Sequence, residues 1–166
     1  EYFYENGEKY IGGWKNGARD GKGKLYYKNG NLKYEGDFIN DKFEGKGKYM
    51  FENGEYYEGD WKNGLRNGNG KIYKKEGFIR YEGGFINDKY EGNGQYFWQN
   101  NELYIGEFKE GLRNGKGKEL YKNGKVKYEG DYVNDKYEGN GKYLWENGEY
   151  YKGQWKNDLK NGKGRI

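Results

Sequence analysis

The chain has 166 residues and a formal net charge of +4 from 31 basic and 27 acidic side chains, with 32% apolar and 20% aromatic residues. It contains no Cys, His, Pro, Ser or Thr. Disulfides, thiolate zinc sites, the familiar nucleophilic triads, N-x-Ser/Thr glycosylation and Ser/Thr phosphorylation are therefore excluded. The mixed charge argues against nucleic acid as a partner, because that needs cations clustered on one face. No apolar run approaches the roughly 20 residues of a membrane-spanning helix, and the start has no signal-peptide character. These features predict a soluble, cytoplasmic chain without metal or cofactor. About two thirds of the apolar content is aromatic, so burial has to come from rings laid on backbone rather than from a two-layer aliphatic core.

In chain order, YFYENG at Tyr2–Gly7 has the form of the later YMFENG and YLWENG. Residues 1–9 thus read as the second half of a repeating unit. Complete units start near Tyr10, Tyr34, Tyr57, Tyr81, Tyr104, Tyr128 and Tyr151, at alternating steps of 24 and 23 residues. A fixed short period predicts one continuous array over 1–166. The array closes on Gly162-Lys163-Gly164-Arg165-Ile166 without a polar cap. That ending predicts a segment of a longer array, or ends that meet other protein.

Within the unit Tyr34–Gly54, Tyr34, Gly36 and Phe38 share one face by period 2, and Glu35 and Asp37 the other. Asn40-Asp41-Lys42 is turn chemistry. Gly45, Gly47, Tyr49 and Phe51 then alternate with Lys46, Lys48 and Met50, and Asn53-Gly54 signals a tight hairpin. Each unit reads as strand, loop, strand, turn, with no helical period. Symmetric closure of the first hairpin sets Tyr34 against Tyr49, Gly36 against Gly47 and Phe38 against Gly45. On the other face it sets Glu35 against Lys48 and Asp37 against Lys46, with later rungs Glu58–Lys71, Glu107–Lys116 and Glu129–Lys142. The glycines leave a trench that a Trp or Phe ring opposite is expected to cover. Alternate units differ in kind. WKNGARDG, WKNGLRNG, FKEGLRNG and WKNDLKNG interleave with FINDKFEG, FINDKYEG and YVNDKYEG, a true period of 47. The longer form has one extra residue after its second strand. Face parity predicts a two-residue Asn-Gly turn there and a three-residue turn or bulge in the shorter form.

YEGDWKNGLRNGNGKIY at Tyr57–Tyr73 resembles the MORN (membrane occupation and recognition nexus) repeat, Tyr-x-Gly-x-Trp, a short Asn-Gly loop, then Gly-x-Gly. The departures are Phe38, Phe85, Phe108 and Tyr132 in place of Trp, and Asp158 in place of the loop glycine. The resemblance implies an all-β, elongated, single-layer antiparallel sheet of tandem β-hairpins, twisted and curled into a groove. It also implies a non-catalytic scaffold or protein-interaction module, of the kind found in cytoskeletal, ciliary and membrane-associated assemblies. Such arrays bind helices, extended segments or other MORN arrays. The alternatives it implies are a phosphoinositide or membrane-surface module, or a regulatory segment of a larger enzyme.

Three sets of residues could carry function. The first-strand rings, from Tyr10 and Trp14 to Tyr151 and Trp155, read mainly as structural. The second-strand rings Tyr49, Phe51, Tyr96, Trp98, Tyr143 and Trp145 lie beyond the glycines. They are expected to be partly open and to bind a partner, with Phe51, Trp98 and Trp145 recurring at 47-residue steps and the more polar Tyr27, Lys74 and Tyr121 between them. The loop cations Arg19, Arg66, Arg113 and Lys160 recur along one edge and could meet an anionic lipid surface, although Asp41, Glu44, Asp88, Glu91, Asp135 and Glu138 share that edge. Gly17-Ala18-Arg19-Asp20-Gly21-Lys22 and Gly111-Leu112-Arg113-Asn114-Gly115-Lys116 lack the spacing and the Ser/Thr of a phosphate loop and read as turns.

Overall fold

A computed structural model describes residues 1–165, and Ile166 lies outside the described residues. The strands are β1 (Tyr2–Phe3), β2 (Lys9–Lys15), β3 (Ala18–Tyr26), β4 (Leu32–Ile39), β5 (Lys42–Met50), β6 (Tyr56–Lys62), β7 (Leu65–Tyr73) and β8 (Ile79–Ile86). They continue as β9 (Lys89–Phe97), β10 (Leu103–Lys109), β11 (Leu112–Leu120), β12 (Val126–Val133), β13 (Lys136–Leu144), β14 (Tyr150–Lys156) and β15 (Leu159–Arg165). They pair in chain order in one open antiparallel sheet, and no helix forms among the described residues. The packing falls into two units. The first is Glu1–Arg80 with Phe85–Asp88, and the second is Tyr81–Gly84 with the chain from Lys89 onward.

The parity expectation holds for the shorter form of the repeat and fails for the longer form. The two-residue turns are Asn16-Gly17, Asn40-Asp41, Asn63-Gly64 and Asn87-Asp88 in the first unit, and Glu110-Gly111, Asn134-Asp135 and Asn157-Asp158 in the second. Both residues of each have positive φ, the mark of the type I′ turn that matches strand twist. The Asn-Gly sites after the second strand, Asn29-Gly30 and Asn53-Gly54, make three-residue loops in both forms, as expected for the shorter form and against the two-residue turn expected for the longer. Phe51 N–H donates to the Glu55 carbonyl (2.8 Å) and Gly54 N–H to the Phe51 carbonyl (3.0 Å), as Tyr27, Gly30 and Asn31 do in the longer form. Gly54 sits at φ +89, left-handed backbone that glycine adopts without strain. The extra residue of the longer form lies after its second strand, as expected. It is Lys33, which drops out of the ladder between Leu25↔Tyr34 and Tyr26↔Leu32. In the second unit it is Lys127, between Glu119↔Tyr128 and Leu120↔Val126.

Symmetric closure fails for a related reason. Tyr34↔Tyr49, Glu35↔Lys48 and Gly36↔Gly47 pair as expected, but the ladder then shifts to Asp37↔Glu44, Phe38↔Phe43 and Ile39↔Lys42. The Asn40-Asp41 turn demands one register and the glycine pair another, two residues out of step. A bulge reconciles them, with Gly45 at φ +62. Asp37 therefore takes Lys22 (2.8 Å) and Lys46 takes Asp60 (2.6 Å), not each other. Glu107 likewise accepts the backbone N–H of Lys116 (2.9 Å), while the Lys116 ammonium bonds to Asp131. The expected Glu58–Lys71 and Glu129–Lys142 rungs are in register.

The trench exists, but the ring that fills it is the strand's own tyrosine. Tyr34 lies over Gly36 and Gly47, so a Cβ on Gly47 would fall 2.3 Å from the Tyr34 hydroxyl oxygen. Glycine does face Trp or Phe, as expected, but across the following ladder, as in Gly45↔Trp61 and Gly92↔Phe108. The tyrosine hydroxyl then donates to the carbonyl three residues on, at the bulge. In the first unit Tyr10 reaches Gly13, Tyr34 reaches Asp37 and Tyr57 reaches Asp60, at 2.9–3.1 Å. In the second, Tyr81, Tyr104, Tyr128 and Tyr151 reach Gly84, Glu107, Asp131 and Gln154 over the same range. This is why the repeat keeps tyrosine and not phenylalanine: the hydroxyl satisfies a carbonyl where the ladder is disrupted.

The outer side of each tyrosine is covered in alternation. Phe43 stacks on Tyr34, Tyr90 on Tyr81 and Tyr137 on Tyr128, each at 3.8 Å between ring centres. In the units between, Arg19, Arg66 and Arg113 lie over Tyr10, Tyr57 and Tyr104, each at 5.7 Å. The 47-residue period is thus an alternation of ring-on-ring and cation-on-ring packing.

Candidate functional site

The first-strand rings are the core. Tyr10, Tyr34, Phe38, Tyr57, Trp61 and Phe85 are buried in the first unit, as are Tyr81, Tyr104, Phe108, Tyr128, Tyr132, Tyr151 and Trp155 in the second. Trp14 departs from the set at 43% exposure. Burial pushes the hydroxyls of Tyr34, Tyr57, Tyr81, Tyr104 and Tyr128 far above the ordinary phenol range.

The second-strand rings are all half-buried. In the first unit Tyr49 and Phe51 meet at 5.0 Å, and Tyr49 rests on Trp61 at 6.0 Å. In the second, Tyr96 meets Trp98 at 5.6 Å and Tyr143 meets Trp145 at 4.8 Å. Each pair stands where the second strand runs into its three-residue turn, so the ring is held at its base and open at its rim. Beside Trp98 lies a cleft of about 320 Å³, bordered by Tyr90, Tyr96, Phe108, Gly111, Arg113 and Asp135. A comparable cleft of about 390 Å³ beside Tyr2, Tyr4 and Trp14 occupies the matching place in the first unit. The more polar Tyr27 and Tyr121 are tied down instead, donating to the carbonyls of Met50 (2.7 Å) and Leu144 (2.8 Å). Burial pushes the Tyr121 hydroxyl up to about 12.

The loop cations are placed on the aromatic face. Arg19 bonds Asp41 through Nε (2.9 Å) and the Asp41 carbonyl through a terminal nitrogen (2.8 Å). Arg66 does the same with Asp88, and Arg113 with Asp135. Their side chains are only 17–19% exposed. They work as staples: each locks the type I′ turn of one hairpin to the edge of the hairpin before it. Lys160 is exposed and lies over Trp145 at 4.6 Å. In the second unit other cations, Lys142, Lys152, Lys163 and Arg165, line an open concavity together with Glu129.

Three features escaped the sequence reading. The extra residues of the longer form and their counterpart Arg80 carry charge: Lys33 reaches Glu8 at 2.5 Å, Arg80 bonds Glu55, and Lys127 reaches Glu102 at 2.9 Å. Lys33, Arg80 and Lys127 recur at 47-residue steps, a signal available in the sequence. Glu119 is buried at a position that holds Leu25 and Ile72 in sister units. It accepts from the Tyr137 hydroxyl (2.8 Å) and bonds Arg113. The Tyr132 hydroxyl nearby is buried with no hydrogen-bond partner among the described residues, whereas its sisters are Phe38 and Phe85. Finally, Phe43, Tyr90 and Tyr137 face inward only because the bulge turns them there.

Among the described residues no group of three or more His, Cys, Asp or Glu side chains is placed to hold a metal ion. Chemically, the site offers half-open aromatic rings and a cleft beside them. No curated protein matches the chain. The family model for the MORN repeat matches residues 10–32, 34–56, 57–77, 81–102, 104–126, 128–150 and 151–166. Each matched range begins at one of the buried first-strand tyrosines, and the chain belongs to the MORN repeat family.

Proposed function

We propose that the chain is a non-catalytic protein-binding scaffold that holds a helix or extended segment of its partner against Tyr96, Trp98, Tyr143 and Trp145 of the second unit, with Tyr49 and Phe51 offering the same kind of ring pair in the first. A cytoplasmic, cytoskeletal or membrane-junction setting suits such a module. The observation that carries this reading is the contrast between the two sets of rings. Apart from Trp14 the first-strand rings are packed shut, and the second-strand rings are half-exposed in pairs, with a cleft beside Tyr96 and Trp98. Rigid aromatic rings anchored at the base and open at the rim are the residues from which binding hot spots are built. Three of the four loop cations lend the anionic-surface alternative little support, because Arg19, Arg66 and Arg113 are already bonded to carboxylates.

The test is affinity chromatography on the immobilised chain, followed by titration of the retained protein against wild type and Trp98→Ala. Trp98→Ala is expected to weaken binding by about 2 kcal/mol or more, roughly thirtyfold. It should leave the melting temperature nearly unchanged, since the ring is only half-buried, and binding should survive high salt. Salt-sensitive attachment to anionic vesicles that ignores Trp98→Ala would overturn the reading.

A further inference from the structure

The sheet face opposite the aromatic rings carries an ordered charge pattern, and the last repeat breaks it. Lysines of the second strands are met there by carboxylates of the strand that follows. Lys24 bonds Glu35 at 3.0 Å, Lys48 bonds Glu58 at 3.0 Å and Lys118 bonds Glu129 at 3.2 Å. A parallel row joins Lys22 to Asp37 (2.8 Å), Lys46 to Asp60 (2.6 Å) and Lys116 to Asp131. The carboxylates come in pairs, as Glu35-Gly36-Asp37, Glu58-Gly59-Asp60 and Glu129-Gly130-Asp131. In β14 the same place holds Lys152-Gly153-Gln154.

Lys142 therefore faces Lys152 in the ladder, and Lys152 faces Arg165. Three cations stand on adjacent strands about 4.8 Å apart, and like charges directly opposite one another destabilise a sheet. Lys163 adds a fourth from the parallel row. All four are exposed, and none is ion-paired with a carboxylate among the described residues. Lys142 leans on the Tyr150 ring at 5.1 Å. Glu129, the carboxylate that borders them, is held by Lys118. The two rows enclose a trough of about 810 Å³, with the backbone of Gly141, Gly153 and Gly164 between them.

We propose that this trough binds an acidic segment of a partner protein, with carboxylates at alternate positions. The segment supplies from outside the charges that Glu58 and Asp60 supply to Lys48 and Lys46 within the array. The site lies on the face opposite the ring pairs and goes beyond the scaffold reading. Charge complementarity selects the ligand, because an uncompensated row of cations is relieved by any residue that restores the missing carboxylates. Shape selects a peptide: the volume is near the top of the small-ligand range and takes a few residues of chain. A flat bilayer surface cannot fill a recess between two rows of side chains.

The experiment titrates the intact chain at low salt with a blocked Glu-Gly-Glu-Gly-Glu peptide and follows backbone amide shifts by NMR. Saturable shifts are expected at Lys142, Lys152, Gly153 and Arg165, fading as salt screens the exposed charges. Lys152→Glu restores the pattern of the other repeats, so it should raise the melting temperature and weaken the peptide by about tenfold. Lys142→Gln should weaken it by about threefold, which keeps the proposal testable if Lys152→Glu alters the fold. Trp98→Ala should leave the peptide's affinity unchanged, and this separates the trough from the ring pairs. No saturable shifts, shifts indifferent to Lys152→Glu, or the same response to sodium sulfate at equal charge would overturn the proposal. Lys152-dependent retention on phosphatidylserine vesicles without peptide binding would overturn it too, and would assign the trough to a lipid surface.

Discussion

Gly47→Val is expected to lower stability by about 3 kcal/mol, at the upper end of the cost of overpacking. The reason is geometric. A Cβ at Gly47 falls 2.3–2.6 Å from three atoms of the Tyr34 ring. The ring cannot withdraw, because Phe43 is stacked on it at 3.8 Å and Phe38 and Trp61 close it at 5.1 and 5.6 Å. At Gly94 the same contacts with Tyr81 are looser, at 2.7–2.9 Å, so Gly94→Val should cost less. Lys48→Ala loses an exposed pair with Glu58 at 3.0 Å and a cation–ring contact with Tyr56 at 4.1 Å, together under about 1 kcal/mol. The order Gly47→Val, Gly94→Val, Lys48→Ala in thermal melting is the readout. Equal shifts for the first and last would mean that the tyrosine does not fill the trench.

Alkaline pH should unfold the array cooperatively. Burial raises the pKa of Tyr34, Tyr57, Tyr81, Tyr104 and Tyr128 well above the ordinary value. Burial also raises that of Tyr137, with the Glu119 carboxylate adding to it. A raised folded pKa means that the native state keeps protons the unfolded chain releases. The contribution is fully present below the unfolded value of about 10, and it shrinks as pH rises above that value. Each such tyrosine lowers stability by about 1.4 kcal/mol per pH unit in that window, and several act together. The buried tyrosines should therefore ionise together with the loss of the β-sheet circular dichroism signal, above pH about 10 and apart from exposed rings such as Tyr2 and Tyr150. Ionisation of Tyr34, Tyr57, Tyr81, Tyr104 and Tyr128, followed ring by ring by NMR, with the sheet signal intact would show that these rings are not sealed.

Much of this was legible in the sequence. The alternating 24 and 23 steps give the units, and period-2 alternation gives the strands. The Tyr34↔Tyr49, Glu35↔Lys48 and Gly36↔Gly47 pairs follow from strand parity. Parity counting assumes equal residue numbers on both strands, and that assumption breaks at the bulge. Everything beyond Gly36 in the hairpin was misplaced for that reason: Asp37, Lys46, Phe38 and the inward turn of Phe43. The same counting gave the longer repeat a two-residue turn, where a three-residue loop forms and the extra residue, Lys33 or Lys127, sits in the next strand and carries a charge to Glu8 or Glu102. The half-open second-strand rings were legible because they lie past the glycines.

The most direct test of the proposed binding face is photocrosslinking in the intact chain. Benzoylphenylalanine is placed at position 98, on the aromatic face, and in a second preparation at position 105. Ile105 is exposed on the opposite face of β10, alternating with buried Tyr104. The account predicts a discrete protein adduct from position 98, abolished by free partner in excess, and none from position 105. Equal adducts from both positions, or adducts to phospholipid rather than protein, would contradict it.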